Sequence, residues 1–390
     1  MTRSSEITTK SSEAMTEPHA GTHNVQRVLI MAGGTGGHVF PALAVAEELR
    51  AQGVEVIWMG THKGLEADVV PRAGFEMEWV SISGLRGKGL SSWVLAPFKL
   101  ALAMTQSLVI IMRRRPMMVL GVGGFVTGPG GFVAWLLHKP LVIHEQNALA
   151  GMTNRWLSHC ATKVLEAFPG TFPAQSKVIA TGNPVRAEIT ALPSPEQRMA
   201  GRSGKLHILV VGGSLGAQAF NQTVPECVKG MAADCQPEIW HQAGRRHIDA
   251  ARLSYQRAGV SARVEPFIED MAAAYAWADL VVCRAGALTI SELAAAGVAS
   301  ILVPYPYAVD DHQTHNAAYL VKAGAALLLP QSQFSTEALR AALSQFCRPQ
   351  FQGQDQGRGH LLKMAMVARQ LAKPRATHEV AQWCLEVVRD

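Results

Sequence analysis

The chain has 390 residues, 48% hydrophobic and 17% charged, with a formal net charge of +6 and a pI near 9.1. That length suits two domains rather than one core, and the hydrophobic content is enough to fill both. The basic balance calls for an anionic partner, yet no stretch interleaves Lys or Arg with aromatics as a stacking surface for nucleic acid would need; a nucleotide-sugar or an acidic lipid head group fits better.

Residues 1–25 are polar, rich in Ser, Thr, Glu and His, and lack an apolar core segment, so they read as a disordered tail and not a signal peptide. Apolar runs then alternate with helical-period segments. RVLIMA (27–32), EVIWM (55–59), MVLGV (118–122) and LVIHE (141–145) are predicted strands, with helices starting near Val39, Gly64, Leu90 and Gly128. The alternation is that of an α/β protein with a doubly wound parallel sheet. Trp93 to Met112 carries one charge, Lys99, ahead of Arg113, Arg114 and Arg115. It has the length of a membrane span, but Pro97, Lys99, Thr105, Gln106 and Ser107 favour an amphipathic helix of the domain. A Pro/Gly/Ser-rich stretch at 192–205 reads as a linker. A second strand series follows: HILVV (207–211), EIWHQ (238–242), ARVEP (262–266), LVVC (280–283), SILVP (300–304) and AALLL (325–329). A Gln/Gly-rich break at 348–359 precedes a long helical end from His360 to Asp390. The expected division is a tail (1–25), a first domain (26–190), a linker (191–205), a second domain (206–375) and a C-terminal helix (376–390) packing back on the first domain. The six cysteines are scattered without CxxC spacing and read as buried thiols of a reducing compartment.

The two halves echo each other, since RVLIMAGGTGG and HILVVGGSLGA share a strand followed by a glycine loop. Gly33-Gly34-Thr35-Gly36-Gly37-His38 is either a tight β-to-α turn or a cradle where backbone amides and a helix N-terminus meet an anion or sugar. Its spacing is neither the dinucleotide fingerprint nor a P-loop. His38 is either a polar residue at a helix start or, with an ordinary pKa of about 6.5, a base for a sugar hydroxyl. In Gly212-Gly213-Ser214-Leu215-Gly216, Ser214 either caps a helix or binds a diphosphate. After LVVC, Thr289 and Glu292 have capping-box spacing, yet a carboxylate at the C-terminal edge of a parallel sheet also suits ribose hydroxyls. Periodicity does not choose. Asn147, ending His144-Glu145-Gln146-Asn147, can hydrogen-bond a sugar, and Arg186, ending Gly182-Asn183-Pro184-Val185-Arg186, can pair with phosphate. Asp310 to His315 lacks a second cluster to complete a ligand set, so no metal is expected. Gly84-Leu85-Arg86-Gly87-Lys88-Gly89 followed by Leu90, Trp93, Val94, Phe98 and Lys99 is either an interfacial membrane patch or a helix face turned to the sheet.

Taken together, GGTGGHVFPALAVAEEL, GLRGKG, GVGGFVTGPGG, HEQN, GNPVR, GGSLGAQ, FIEDMAAAYAWADLVVCRAGALTISELAAAG and DDHQTHNA resemble the MurG family, the peptidoglycan N-acetylglucosaminyltransferases of glycosyltransferase family 28, from about Val28 to Leu329. The resemblance implies the GT-B fold, in which two Rossmann-like doubly wound domains face a central cleft. It implies an inverting transfer of N-acetylglucosamine from UDP-GlcNAc to the C4 hydroxyl of MurNAc in lipid I, giving lipid II for peptidoglycan synthesis, and with it roles in cell wall biogenesis, cell shape and cell division. It sets Thr35, Gly36, Gly37 and Asn147 at the donor sugar, Arg186 and Ser214 near the diphosphate, and Ile268 at the uracil. Ala287, Leu288, Thr289, Ile290, Ser291 and Glu292 surround the nucleotide, with Glu292 on the ribose, and Gln313 completes the site. His38 is the candidate base. Helix N-termini and Arg186 would stabilise the leaving diphosphate without a metal, so no cofactor is expected. The implied partners are UDP-GlcNAc, the lipid I acceptor, an anionic membrane surface and other cell-wall synthesis proteins, with no nucleic acid. The implied location is peripheral, on the cytoplasmic face of the inner membrane. The tail and the 348–359 segment lack a clear match in the family and are assigned no function. The rival readings are a UDP-GlcNAc epimerase on the same fold and a non-catalytic nucleotide-sugar-binding membrane scaffold.

Overall fold

A computed structural model describes residues 26–82, 95–213, 216–346 and 356–389. The first half runs β1 (Arg27–Ala32), α1 (Gly36–Ala51), β2 (Glu55–Gly60), α2 (Glu66–Arg72), β3 (Glu76–Trp79), α3 (Ala96–Arg114), β4 (Met118–Gly123), α4 (Thr127–Leu136), β5 (Leu141–Glu145), α5 (Met152–Leu157), β6 (Lys163–Glu166) and β7 (Val178–Ala180). Two short helices, α6 (Ala187–Thr190) and α7 (Pro195–Met199), join the halves. The second half runs β8 (His207–Val211), α8 (Gln218–Lys229), β9 (Glu238–Gln242), α9 (Ile248–Ala258), β10 (Arg263–Glu265), α10 (Met271–Trp277), β11 (Leu280–Cys283), α11 (Ala287–Ala296), β12 (Ala299–Leu302), α12 (His312–Lys322), β13 (Ala326–Leu328) and α13 (Thr336–Ser344). The chain closes with α14 (Gln356–Gln370) and α15 (Ala376–Arg389).

The strands form two parallel sheets, ordered β3-β2-β1-β4-β5-β6-β7 and β10-β9-β8-β11-β12-β13. Continuous apolar runs such as Val28–Ala32 and Ile208–Val211 are buried on both faces, as strands covered by helices on two sides must be. In each sheet the order reverses once, between β1 and β4 and between β8 and β11. Loops diverge there at the carboxyl ends of the strands, leaving the crevice where such sheets bind ligands. The fold is therefore two Rossmann-like domains, as the βαβ alternation predicted.

Three short strands, β3, β6 and β7, were not predicted, and the single helix expected from His360 is two helices broken around Pro374. The last one, α15, packs against α1, and its Val380, Ala381, Cys384 and Val387 join the core that also holds Trp58 and Leu120. Helix α3 is long and apolar enough to cross a membrane, but its Ala103, Ser107, Ile110 and Ile111 stripe, spaced for one helix face, is buried in the first domain.

Candidate functional site

The first switch point builds the floor of the site. Gly33, at the end of β1, donates its N–H to Gly123 O at the end of β4 (3.3 Å). Gly123 and Gly124 have φ of +126° and +88°, which glycine alone adopts readily. They also make room. A Cβ on Gly123 would lie 2.6 Å from His38 Cδ2 and 2.8 Å from Nε2, and one on Gly124 would strike the Gly33 carbonyl. Thr35 is the N-cap of α1, so His38 stands in the first turn and Pro41 in the second. Gly34, Thr35 and Gly37 are exposed and Gly36 half-buried, open to a ligand.

His38 is half-buried, and its Nδ1 is sealed from solvent without a well-formed hydrogen bond. Burial pulls its imidazole below the ordinary value, and His312, at the start of α12, pulls the same way; the Glu145 carboxylate, the Gly33 carbonyl and Glu66 oppose the shift. The net direction favours the neutral ring, which is the form that accepts a proton.

Glu145 is a buried carboxylate satisfied by four donors: Asn147 N (3.0 Å), Asn147 Nδ2 (3.1 Å), Gly151 N (3.1 Å) and Asn154 Nδ2 (2.9 Å). Asn147 thus has its amide nitrogen committed, and its Oδ1 accepts Asn316 Nδ2 from α12 (3.2 Å). Asn316, fully buried, also accepts Ala148 N (2.8 Å) and donates to Ala285 O (3.2 Å), tying the halves together. Asn183 does the same, donating to Gln146 O (3.0 Å) and to Ser291 Oγ (3.0 Å).

On the second switch point Glu292 is buried, with Arg186 Nη2 on Oε1 and Tyr275 OH on Oε2, each at 3.0 Å. Burial raises its carboxyl above the usual range, and both partners act against that shift. The capping-box reading fails: the N-cap of α11 is Gly286 without a side-chain cap, and both Glu292 oxygens point elsewhere. Arg186, at the N-cap of α6, is exposed, so the Glu292 carboxylate sits beneath a cation open to an anionic ligand. Gln313 Oε1 accepts Ala285 N (3.2 Å) and Tyr305 N (2.8 Å), which fixes the loop after β11 against that after β12. Of the run along α11, Leu288, Thr289 and Ser291 are half-buried, Ala287 is buried, and Ile290 is wholly enclosed in the core. Ile268 is enclosed too, its N–H held by Gln242 Oε1 (2.9 Å). A ligand would therefore meet the main chain or neighbours of these two isoleucines and not their side chains. Helix α8 has Ala217 at its N-cap; Ser214, like Leu90, Trp93 and Val94, lies outside the described residues. Phe98 is 73% exposed and Lys99 half-buried. Among the described residues no cluster of three or more His, Cys, Asp or Glu side chains converges as a metal site.

The sequence reading missed Glu66, Asn316, Tyr275 and His312. Asn316 and His312 stand in the quoted DDHQTHNA stretch, so position was available there. Tyr275 likewise stands in the quoted FIEDMAAAYAW stretch, whereas Glu66 carried no signal, because it matters only through Gly34 and its loop, distant in the chain.

The Glycosyltransferase family 28 N-terminal domain matches residues 28–166 and the Glycosyltransferase family 28 C-terminal domain residues 207–368. The chain is 56% identical to the UDP-N-acetylglucosamine--N-acetylmuramyl-(pentapeptide) pyrophosphoryl-undecaprenol N-acetylglucosamine transferase of Nitrosococcus oceani, over 93% of this chain and 98% of that one. It is 54% identical to the protein of the same name from Marinobacter nauticus, covering 93% and 97%. The crystal structure of Acinetobacter baumannii MurG superimposes with a TM-score of 0.80 at 41% identity, covering 93% of this chain and 99% of that one.

Proposed function

The chain belongs to glycosyltransferase family 28, and on that footing we propose that it transfers N-acetylglucosamine from UDP-GlcNAc to the C4 hydroxyl of MurNAc in an undecaprenyl-pyrophosphoryl-linked MurNAc-pentapeptide, the step that makes lipid II for peptidoglycan synthesis. The observation that carries this reading is that α1, with His38 in its first turn, packs against α11, whose Glu292 is held by Arg186 and Tyr275.

The acceptor O4 attacks the anomeric carbon from the face opposite the UDP. His38 takes the O4 proton as the new C–O bond forms, the anomeric C–O bond to the diphosphate breaks, and its electron pair leaves with UDP. One displacement inverts the centre to β. Arg186 pairs with the departing diphosphate, as a guanidinium suits two phosphate oxygens. Freed from Arg186, the Glu292 carboxylate takes the ribose hydroxyls. Thr35, Gly36, Gly37 and Asn147 line the donor sugar, and Gln313 holds the loops that border it. Transfer of radiolabel from UDP-GlcNAc to a lipid I analogue tests the reading, with a β-linked disaccharide as the expected product. Donor isomerised without acceptor would establish the epimerase instead, and donor bound but unchanged would leave a scaffold.

The acceptor's tail stays in a bilayer, so the first domain has to reach the head groups, as a peripheral protein on the cytoplasmic face of the inner membrane. Support comes from a run of exposed apolar side chains: Phe98, Leu102 and Met112 on α3, Trp135 and Leu136 on α4, and Met152 and Trp156 on α5. Helix α3 packs on α4 and α4 on α5, so the three share one side of the domain. Exposed Phe125 continues it to Gly124, beside the His38 loop. Lys99 and Arg155 add positive charge, each worth about 1 kcal/mol near an anionic leaflet. Phe98→Glu with Trp156→Glu is expected to abolish sedimentation with anionic vesicles while activity on a short-chain soluble acceptor stays within about threefold. Sedimentation of the intact protein should weaken as salt rises. A well-folded double variant that binds vesicles normally would refute this surface.

A further inference from the structure

We propose that Glu66 is a positioning residue for the reaction: it holds the Gly33–Gly34 peptide, and through that peptide it sets the His38 imidazole and steadies the proton the ring receives. The inference rests on His38 being the base.

Glu66 is fully buried at the start of α2. A carboxylate without solvent must be met by donors, and the donors it meets are specific. Gly34 N–H donates to Oε2 (2.9 Å), while Thr61 N (3.0 Å) and Thr61 Oγ1 (2.8 Å) donate to Oε1. The space around the carboxylate is kept by glycine. A Cβ on Gly33 would come 2.6 Å from Oε1, one on Gly60 would come 2.7 Å from Cγ, and one on Gly64 would run into the carboxylate. One glycine from the end of β1 and two from the β2–α2 connection thus close around one side chain.

The Gly34 N–H and the Gly33 C=O belong to one planar peptide unit. A carboxylate fixing the N–H end therefore fixes where the carbonyl points, and polarises it. That carbonyl is the one that acts on His38, whose sealed Nδ1 has no well-formed partner in the resting protein. When the ring takes a proton from the acceptor hydroxyl it becomes a cation whose Nδ1 edge is closed to water, and that edge needs an acceptor from the protein. The charges that face the ring are Glu145 from the end of β5, Glu66 from α2 and His312 from α12. Glu145 is held by its own four donors, so the peptide route belongs to Glu66 alone.

The test compares full-length Glu66→Gln, Thr61→Val, His38→Ala and the Glu66→Gln/His38→Ala double variant, reading kcat, donor KM, the pH dependence of kcat/KM and Tm. Glutamine keeps the shape but turns an NH2 toward one of the donors. Glu66→Gln is expected to lower kcat by about tenfold, less than losing the base itself, with donor KM within about threefold. Its acid limb should move to lower pH, because a negative charge favouring the protonated ring is gone. Thr61→Val, which removes one donor to Glu66 and leaves the glycine loop intact, should give a weaker change in the same sense. In the double variant Glu66→Gln should cost nothing further. A folded Glu66→Gln protein with normal kcat and an unmoved acid limb overturns the proposal. So does a loss that follows Tm alone while Thr61→Val behaves as wild type. Normal turnover in His38→Ala would remove the base reading and this inference together, a result distinct from an inactive His38→Ala beside a normal Glu66→Gln.

Discussion

Replacing His38 by alanine is expected to lower kcat by about 10²–10⁴-fold while the affinity for UDP stays near that of the intact protein. The size follows from the role. A positioned base contributes to the transition state, where the O4 proton is in flight, and little to binding the nucleotide, which the proposed site sets against the other half of the molecule. The pH profile gives an independent check. Burial and His312 pull the His38 imidazole down, with Glu145, the Gly33 carbonyl and Glu66 only partly offsetting them. The acid limb of kcat/KM should therefore fall below the ordinary imidazole value of about 6.5. Because the ring fills the space above Gly123, His38→Gln serves as a bulkier control: it should be as slow as alanine although it leaves less of a cavity. Turnover in either variant comparable to wild type would move the base elsewhere.

Glu292→Ala should raise donor KM roughly ten- to hundredfold, the equivalent of about 1.5–3 kcal/mol for hydrogen bonds to a charged group. The geometry complicates the control, because alanine also strands Arg186 and the buried Tyr275 hydroxyl. Tyr275→Phe separates the two effects. It removes one bond to the carboxylate without touching the ribose, so it should cost about 1 kcal/mol of stability and leave donor KM within about threefold. Arg186→Ala should weaken UDP more than it weakens uridine, if its exposed guanidinium pairs with the diphosphate as proposed. If Glu292→Ala lost thermal stability but kept a normal donor KM, the carboxylate would serve only to hold Arg186 and Tyr275.

The contact between α15 and α1 shows why the ends of the chain matter to the site. Trp383 on α15 lies under the Lys163 ammonium (4.5 Å to the ring centre), and His378 Nδ1 is 2.9 Å from Glu48 Oε1 on α1. The helix that carries His38 in its first turn is thus braced from the opposite end of the sequence.

What the sequence by itself determined was the α/β class, the two domains' worth of strands and the glycine loops. Those features are local: an apolar run of five or six residues between glycines can be little else than a strand covered on both faces. The short strand Glu76–Trp79 escaped because alternate glutamates make it look like surface. Tertiary structure supplies the missing partners, Arg113 and Arg114 of α3 on Glu78, and Arg114 on Glu76. In β6, Glu166 is buried against Gly170 N (2.9 Å) and Phe172 N (3.0 Å), again a charge that only folding satisfies. The same physics governed the site. Glu292 had capping-box spacing and the sequence left its role open; the fold excluded the cap by bringing Arg186 and Tyr275 to its two oxygens. Glu66 drew no reading beyond the helix start predicted near Gly64, and only the approach of Gly33 to the β2–α2 connection made it the buried support of a loop. A buried charge costs several kcal/mol unless donors meet it, and where those donors lie is decided by packing between distant segments, which no local pattern records.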